Sequence, residues 1–585
     1  MKLNPILPEA FLASALVLAS LFVPSPLQGR ERKVHIIATG DVHSSWFSDP
    51  YVDGSPTRSS LMAVKHYADS LRSAAGEDNV ILIDGGDCLQ GDNSAYYYNY
   101  VDTVSTHLFP RLCAYMAYDA LVVGNHDIET GHSVYDRVNS QLLSYGIPWL
   151  GGNALRTDNG QPYFPYYTIV RKAGLKVAVL GFTNPNMRSW LSEAQFSGMD
   201  FVSLLPFVQD CVNEVLSSED PDIVIVAVHS GTGDGKGREL ESQGLDLLES
   251  LEGVDVLLTA HDHRPYLASK GQCHLVNAGA RAGNVAHLEL TVEKKGRSVK
   301  LKDVQSEIVK LDRNNIDSTM YRAFKPEFEA VKAFTLKKVG ELEMDMRTSD
   351  AYRGMSDYIN LIHTVQLSSS AADISFAAPL TFDGRIKAGE LVFNDMFTIY
   401  PYENQMFVVR MKGSEIKSYL EYSYDTWIQT PGDHILKMVP SPDPRTGTDR
   451  YSFVGRSYNF DSAAGLVYTV DVTKPAGERV CITSLADGRP FRAEEYYKVA
   501  MTSYRANGGG ALMERGAGIA DVEKEGRVVG RYPEIRNLIY AFISSHASVD
   551  RQLIGRKELI GQWRFVPEDL ADRLMEADMQ LLLGK

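Results

Sequence analysis

Between residues 34 and 294, short runs of aliphatic and β-branched residues recur, and each closes on a cluster of polar side chains. "VHIIATGDVH" ends on Asp41 and His43, "NVILIDGGDCLQGD" on Asp84 and Asp87, and "LVVGNHD" on Asn125 and His126. "DIVIVAVHSGTG" reaches His229, and "DVLLTAHDH" reaches His261, Asp262 and His263. Such runs are expected as buried strands, with hydrogen-bonding or metal-binding side chains at their C-terminal ends. Between them, "SSLMAVKHYADSLRSAA" and "LLPFVQDCVNEVLSS" carry apolar residues at three- and four-residue spacing, the pattern of amphipathic helices. Strands alternating with helices predict an α/β layered fold whose polar groups gather along one edge of a sheet.

A polar stretch, "EKKGRSVKLKDVQSEIVKLDRNN", closes this region, and residues 318–340 read as one connecting helix. A second region of mixed helix and strand pattern follows from 341 to 555. The last residues, 556–585, read as an amphipathic helical tail around "VPEDLADRLMEADMQLLL". At the other end, Lys2 precedes "FLASALVLASLFV", an apolar run of 13 residues. That is short of the roughly 20 needed to span a bilayer and suits the core of a secretory signal over residues 1–30. An uncleaved anchor or a buried helix is the competing reading of this run. No other stretch is long and apolar enough to span, so the mature chain is expected in the periplasm or outside the cell.

Composition narrows the partners. A chain of 585 residues with 44% hydrophobic residues can bury more than one core. Its net charge of -15 argues against a nucleic-acid polymer, which requires phosphate neutralisation by Lys and Arg. It leaves open a small phosphate ester held by local charge or a metal. The five cysteines form no CxxC pair and are too sparse for a disulfide framework, so most are expected as small buried hydrophobes.

Taken alone, "VVGNHDIETG" is a turn, since Asn and Asp tolerate tight backbone geometry. Together the five strand ends say more. Asp41, His43, Asp87, Asn125, His229, His261 and His263 supply three carboxylate or amide oxygens and four imidazoles. Imidazole and carboxylate without thiolate suit zinc, manganese, iron or another divalent ion. Seven side chains exceed the needs of one catalytic zinc but fit two ions sharing a bridging carboxylate.

The order D-x-H, GD, GNHD, H and H-x-H resembles the calcineurin-like metallophosphoesterases. "FTIYPYENQMFVVRMKGSEIKSYLEYS", "SYNFDSAAGLVYTVDVTKPAGERV" and "YKVAMTSYRANGGGAL" are similar to the C-terminal substrate domain of the 5′-nucleotidase family. The resemblance implies a four-layer αββα sandwich over residues 31–317, a linker helix over 318–340 and an α+β substrate-binding domain over 341–555. It further implies that Asp41, His43, Asp87 and His263 hold one ion. Asp87, Asn125, His229 and His261 would hold the other, with Asp87 bridging. His126 would contact the phosphate and stabilise the transition state. Relatives reading GNHEFD place an Asp three positions after that His; here the position is Glu129, one methylene longer.

The same resemblance implies an aromatic clamp for the base, with Phe460 and nearby Tyr458 on one side and Tyr504 on the other. Asn507 and the glycines after it would approach base or ribose. The family's NGGGxR-like stretch is replaced here by "SFAAPLTFDGR", and NGGDG by Asn507 to Ala511. "YNFD" and "YRANGG" look closer to the 2′,3′-cyclic-nucleotide 2′-phosphodiesterase/3′-nucleotidase branch. The expected activity is therefore metal-dependent hydrolysis of 2′,3′-cyclic or 3′-nucleotides, with 5′-nucleotides close behind, by a monomer or dimer. A nucleotide-sugar or sulfur-ester hydrolase on the same scaffold, or a non-catalytic exported metal-binding or adhesive protein, is the alternative.

Overall fold

The computed structural model describes residues 30–584 apart from 53–54, 238, 296–297, 403, 442–449 and 547. The expected secretory signal lies outside the described residues. Among those residues, no helix is long and apolar enough to cross a membrane.

The first half is built on two six-stranded sheets. One runs in the order Ser298–Lys310, Asn284–Lys295, Arg30–Thr39, Val80–Asp84, Ala120–Val122, Trp149–Leu150. The other runs Tyr266–Lys270, Cys273–Asn277, Val256–Thr259, Ile223–Val228, Leu175–Phe182, Tyr167–Lys172. Strand periodicity decides which side chains go where. Val34, Ile36, Ile81 and Ile83 face the second sheet and meet Val177, Ile225 and Val256 there. Ile37, Val80 and Leu82 point the opposite way, onto Leu61 and Val64 of the helix Leu61–Ala75. The second sheet is covered outside by the helix Leu204–Glu219 through Val208, Val212 and Val215. Helix, sheet, sheet, helix is the four-layer sandwich expected.

In each sheet the strands bearing the motifs are parallel: Thr39 lies beside Asp84, Asp84 beside Leu121, and Val228 beside Thr259. Their C-terminal ends therefore open at one edge, and all five polar clusters meet there.

The second half centres on a five-stranded sheet in the order Ser462–Ala464, Ile374–Ala377, Tyr496–Thr502, Gln405–Lys412, Val528–Glu534. One face packs on the helix Gly413–Trp427 through Ile416, Tyr419 and Leu420. The other packs on Asp357–Ser368 and Ile535–His546.

Two expectations need correction. Residues 318–340 are not one helix. Ser318–Ala323 and Lys325–Thr335 are separate, and a strand begins at Lys338. Pro326 lacks the N–H that a continuous helix would use and sits instead in the first turn of the second helix, where none is needed. The tail is not purely helical either. Gly561–Val566 pairs in parallel with Leu466–Asp471, and only then does Glu568–Leu583 follow as a helix. Ala571, Leu574, Met575 and Met579 of that helix are buried in the core of the second half.

The halves are also joined by a side chain. Tyr96, 8% exposed, stacks on Phe334 (6.2 Å between centroids) and meets Phe393 and Phe397, while its hydroxyl donates to Asn537 Oδ1 at 2.6 Å. The guanidinium of Arg536 lies 5.7 Å from the Tyr96 ring centre. Beside it Asn93 Nδ2 donates to Asn394 Oδ1 at 3.0 Å.

Candidate active site

The seven expected donors converge in two groups. Ligand atoms of Asp41, His43 and His263 lie within 4.8 Å of one another, as do those of Asp87, His229 and His261. Asn125 belongs to the second group: its Oδ1 is 3.1 Å from His229 Nε2 and 2.9 Å from His261 Nδ1. Asp87 stands between the groups, with Oδ2 3.1 Å from His229 Nε2 and 4.0 Å from His43 Nε2.

The atoms aimed inward are electron-rich, which is the test of whether the site fits cations. His229 Nδ1 donates to the Gly85 carbonyl at 2.8 Å, so in the neutral ring Nε2 presents its lone pair to Asn125 Oδ1 and Asp87 Oδ2. His43 Nδ1 donates to the Gln90 carbonyl at 3.0 Å, turning its Nε2 lone pair toward His263 Nε2, 2.9 Å away. Asp41 Oδ1 and Asp87 Oδ2 are buried and make no hydrogen bond, the 3.1 Å approach of His229 to Asp87 being off-line. Buried carboxylate oxygens facing imidazole lone pairs are costly unless a cation lies between them. Backbone carbonyls on the outer ring nitrogens are the usual way a metal-binding histidine is oriented.

Without cations in place, the same groups compete for protons instead. Burial pushes the Asp41 carboxyl well up, with His229 pulling against it. Burial also opposes ionisation of Asp87, yet the charges of His229 and His126 hold it well below the usual carboxylate range. Burial works against the His229 imidazolium, but Asp87 raises it to about 9. His43 is pushed well down by burial, and His263 falls to about 4 for the same reason.

The backbone explains how loops bring so many donors together. Asp41, His43, Asp87, His261 and His263 all have φ between 46° and 75°, the left-handed region that non-glycine residues avoid. Each such residue costs on the order of 1–3 kcal/mol, and such strain gathers at functional sites. Hydrogen bonds hold the loops in place. Asp127 is fully buried and accepts from the backbone N–H groups of Asp87, Cys88, Leu89 and Gly124 at 2.8 to 3.0 Å. Asp262, between the two histidines, accepts from Thr232 N and Asn277 Nδ2, both at 2.8 Å. The sequence reading missed both roles; the signal for Asp127 was its place inside "GNHD".

Gly124 is fixed by contact. A Cβ there would stand 2.1 Å from Asp87 Oδ1 and 2.4 Å from Asp87 N. Gly124→Ala is expected to lower divalent-metal affinity roughly 10–100-fold, as loss of a ligand's supporting contacts does elsewhere. Metal content after dialysis against buffered metal would read this, and full occupancy would count against the contact.

His126 lies on the short helix Asn125–Glu129 and lines the cavity. Its backbone N–H donates to Asp87 Oδ1 at 2.8 Å, and its Nδ1 lies 2.5 Å from Glu129 Oε2. The longer Glu side chain thus reaches the ring directly. Trp190 stacks on His261 at 5.2 Å, and Glu241 Oε2 is 3.9 Å from His261 Nε2. The His261 imidazole beside it keeps the Glu241 carboxyl below its usual range.

Opposite the donors, one cavity of about 950 Å³ runs to the second half of the chain. Tyr402, Arg456, Tyr458 and Tyr504 line it there. The Tyr458 and Tyr504 rings are 6.2 Å apart at 80°. Phe460 does not belong to this wall, a correction to the expected clamp. It is fully buried and packs on Trp427 at 5.4 Å and Phe453 at 5.1 Å. Tyr458, two residues earlier in the turn Ser457–Asn459, takes the exposed place. Asn507 is half-buried and does not line the cavity.

Comparison with known proteins agrees with the two-part fold. Residues 34–265 match the family model of calcineurin-like phosphoesterases, and residues 337–514 match the 5′-nucleotidase C-terminal domain. A trifunctional nucleotide phosphoesterase of Bacillus subtilis is 24% identical over 85% of this chain, which spans only 38% of that protein's length. A 2′,3′-cyclic-nucleotide 2′-phosphodiesterase/3′-nucleotidase of Haemophilus influenzae is 25% identical over 81% of this chain and 80% of its own. A candidate 5′-nucleotidase from Staphylococcus aureus shares the fold with a TM-score of 0.74 at 20% identity, over 91% of this chain and 99% of that one. The chain belongs to the 5′-nucleotidase family, hydrolases that join a calcineurin-like phosphoesterase domain to a 5′-nucleotidase C-terminal domain.

Proposed function

We propose that this protein is an exported phosphohydrolase that uses two divalent ions to cleave nucleotides, with 2′,3′-cyclic and 3′-nucleotides preferred and 5′-nucleotides the close alternative. The observation that carries the reading is the single cavity with the donor groups and His126 at one end and Tyr458 and Tyr504 at the other. Asp41, His43, Asp87 and His263 would hold one ion, and Asp87, Asn125, His229 and His261 the second. When bound, such ions supply Lewis acidity toward phosphoryl oxygens and the activation of water that ester hydrolysis needs.

The chain's own residues divide the remaining work. Glu129 fixes the His126 ring by its Nδ1, leaving Nε2 as the atom that exchanges a proton with the leaving oxygen or donates to a phosphoryl oxygen. Trp190 and Glu241 steady His261. Tyr458 and Tyr504 offer ring faces and edges to the base, and Arg456 adds positive charge on their side of the cavity. The replacement of the NGGGxR-like stretch by "SFAAPLTFDGR" removes fixed polar contacts to the nucleoside, so stacking carries more of the recognition. The name of the Haemophilus relative supports the cyclic-nucleotide preference. The N-terminal apolar run supports export.

Tyr504→Ala is expected to raise KM for nucleotides roughly 5- to 150-fold, from about 1–3 kcal/mol of lost stacking. Turnover of a small aryl phosphate should hardly change. The deciding measurement is one panel of 5′-AMP, 3′-AMP, 2′,3′-cyclic AMP, a UDP-sugar and an aryl phosphate. Fast turnover of 5′-AMP alone would remove the cyclic-nucleotide preference, and turnover of the UDP-sugar alone would move the assignment to nucleotide sugars.

A further inference from the structure

Beneath the two cavity tyrosines lies an ion pair made by their close neighbours in sequence, Asp461 and Arg505. Each is 3% exposed. Arg505 Nε donates to Asp461 Oδ2 at 2.9 Å and Nη2 to Asp461 Oδ1 at 2.8 Å, a bidentate fork. Nη2 also donates to the Tyr458 carbonyl at 3.0 Å. Nη1 donates to Asn459 Oδ1 at 3.2 Å and to the Gly509 carbonyl. The guanidinium thus spends all five donors on the two segments that carry the rings. Its carbon lies 5.5 Å from the centre of the Tyr504 ring. Tyr419 OH donates to the same carboxylate from below.

A pair buried this deeply is a poor source of stability, because desolvating two charges cancels most of their attraction. What it does supply is a fixed distance between chain segments far apart in sequence. With every donor already engaged, Arg505 is also a poor candidate for gripping a phosphate, although it borders the cavity.

We propose that Arg505 and Asp461 are positioning residues of the nucleoside site, whose ion pair sets the spacing of Tyr458 and Tyr504 and thereby the affinity for the base. The proposal rests on the reading that these rings hold the base. It adds that the base site is braced from beneath and independent of the ester-cleaving end of the cavity.

The test compares metal-loaded Arg505→Lys, Asp461→Asn and Tyr504→Ala with the parent protein. KM and kcat are measured for 2′,3′-cyclic AMP and an aryl phosphate, with inhibition constants for adenosine and inorganic phosphate. Lysine keeps the charge but loses the fork, so KM for the nucleotide and the adenosine constant should both rise about tenfold, within the range set by losing a stack. The nucleotide kcat and the phosphate constant should stay within about twofold, a split that general damage would not give. Asp461→Asn keeps one acceptor and should fall between. Unchanged nucleotide KM in Arg505→Lys, beside a raised one in Tyr504→Ala, overturns the brace and leaves the clamp standing. Unchanged KM in Tyr504→Ala overturns the clamp itself. Equal losses on nucleotide and aryl phosphate also overturn the brace. Should Arg505→Lys fail to fold in thermal melts, Asn459→Ala removes one acceptor at a half-buried position and is expected to raise the nucleotide KM two- to fivefold; no rise there overturns the brace as well.

Discussion

Chelation of the purified protein is expected to abolish phosphate release from every substrate it turns over, and a divalent transition ion should restore it. The inward-facing groups are the reason. The Nε2 atoms of His43 and His229 and the oxygens of Asp41 and Asp87 point into the same two spaces, where metal ions would take the place of the proton that Asp87 otherwise holds on His229. Asp87→Asn should have the largest effect of any single ligand change, because that side chain stands between both groups. Metal analysis of the variant should show loss of at least one ion while far-UV circular dichroism stays native, since the strands bury their apolar faces without the donors. Undiminished hydrolysis by the chelated protein would end the two-metal reading.

His126→Ala should separate chemistry from ligation. The ring lines the cavity, belongs to neither donor group and is oriented by Glu129 at 2.5 Å. Removing it should leave both metals in place and lower kcat by roughly 10²–10⁴, the usual contribution of a positioned proton donor. KM should change little, because the lost interaction is made mainly in the transition state. Glu129→Gln retains an oxygen for Nδ1 and should cost much less. Loss of an ion from the His126 variant would make His126 a ligand and redistribute the roles.

The donor set was legible because each member ends an aliphatic run, and parallel strands in both sheets bring such ends to one edge. What the pattern of residues does not carry is how the chain turns there. Nothing in the string announces that Asp41, His43, Asp87, His261 and His263 adopt left-handed backbone, and the place of Asp127 inside "GNHD" marks the residue without saying that it ties four N–H groups into one loop. Tyr458 and Phe460 show the limit most clearly. They sit in a turn between strands, where the alternation that sorts inside from outside breaks down, and the motif alone favours the ring that proves buried. The strand Gly561–Val566 escapes notice because its pairing partner lies 95 residues earlier.

Tyr96 bears on any attempt to retarget the molecule by exchanging its second half with that of a relative. The metal end and the nucleoside end divide near residue 338, which suggests a convenient junction for a chimaera. The ring of Tyr96 stacks on Phe334 on its own side of that junction and crosses it into a socket made by Phe393, Phe397 and Arg536, with Asn537 capping its hydroxyl. A grafted half lacking the socket would leave a buried phenol without a home and the two ends of the cavity without a common frame. A transplant that brings new base specificity must therefore carry a matching receptacle for one tyrosine it did not evolve beside.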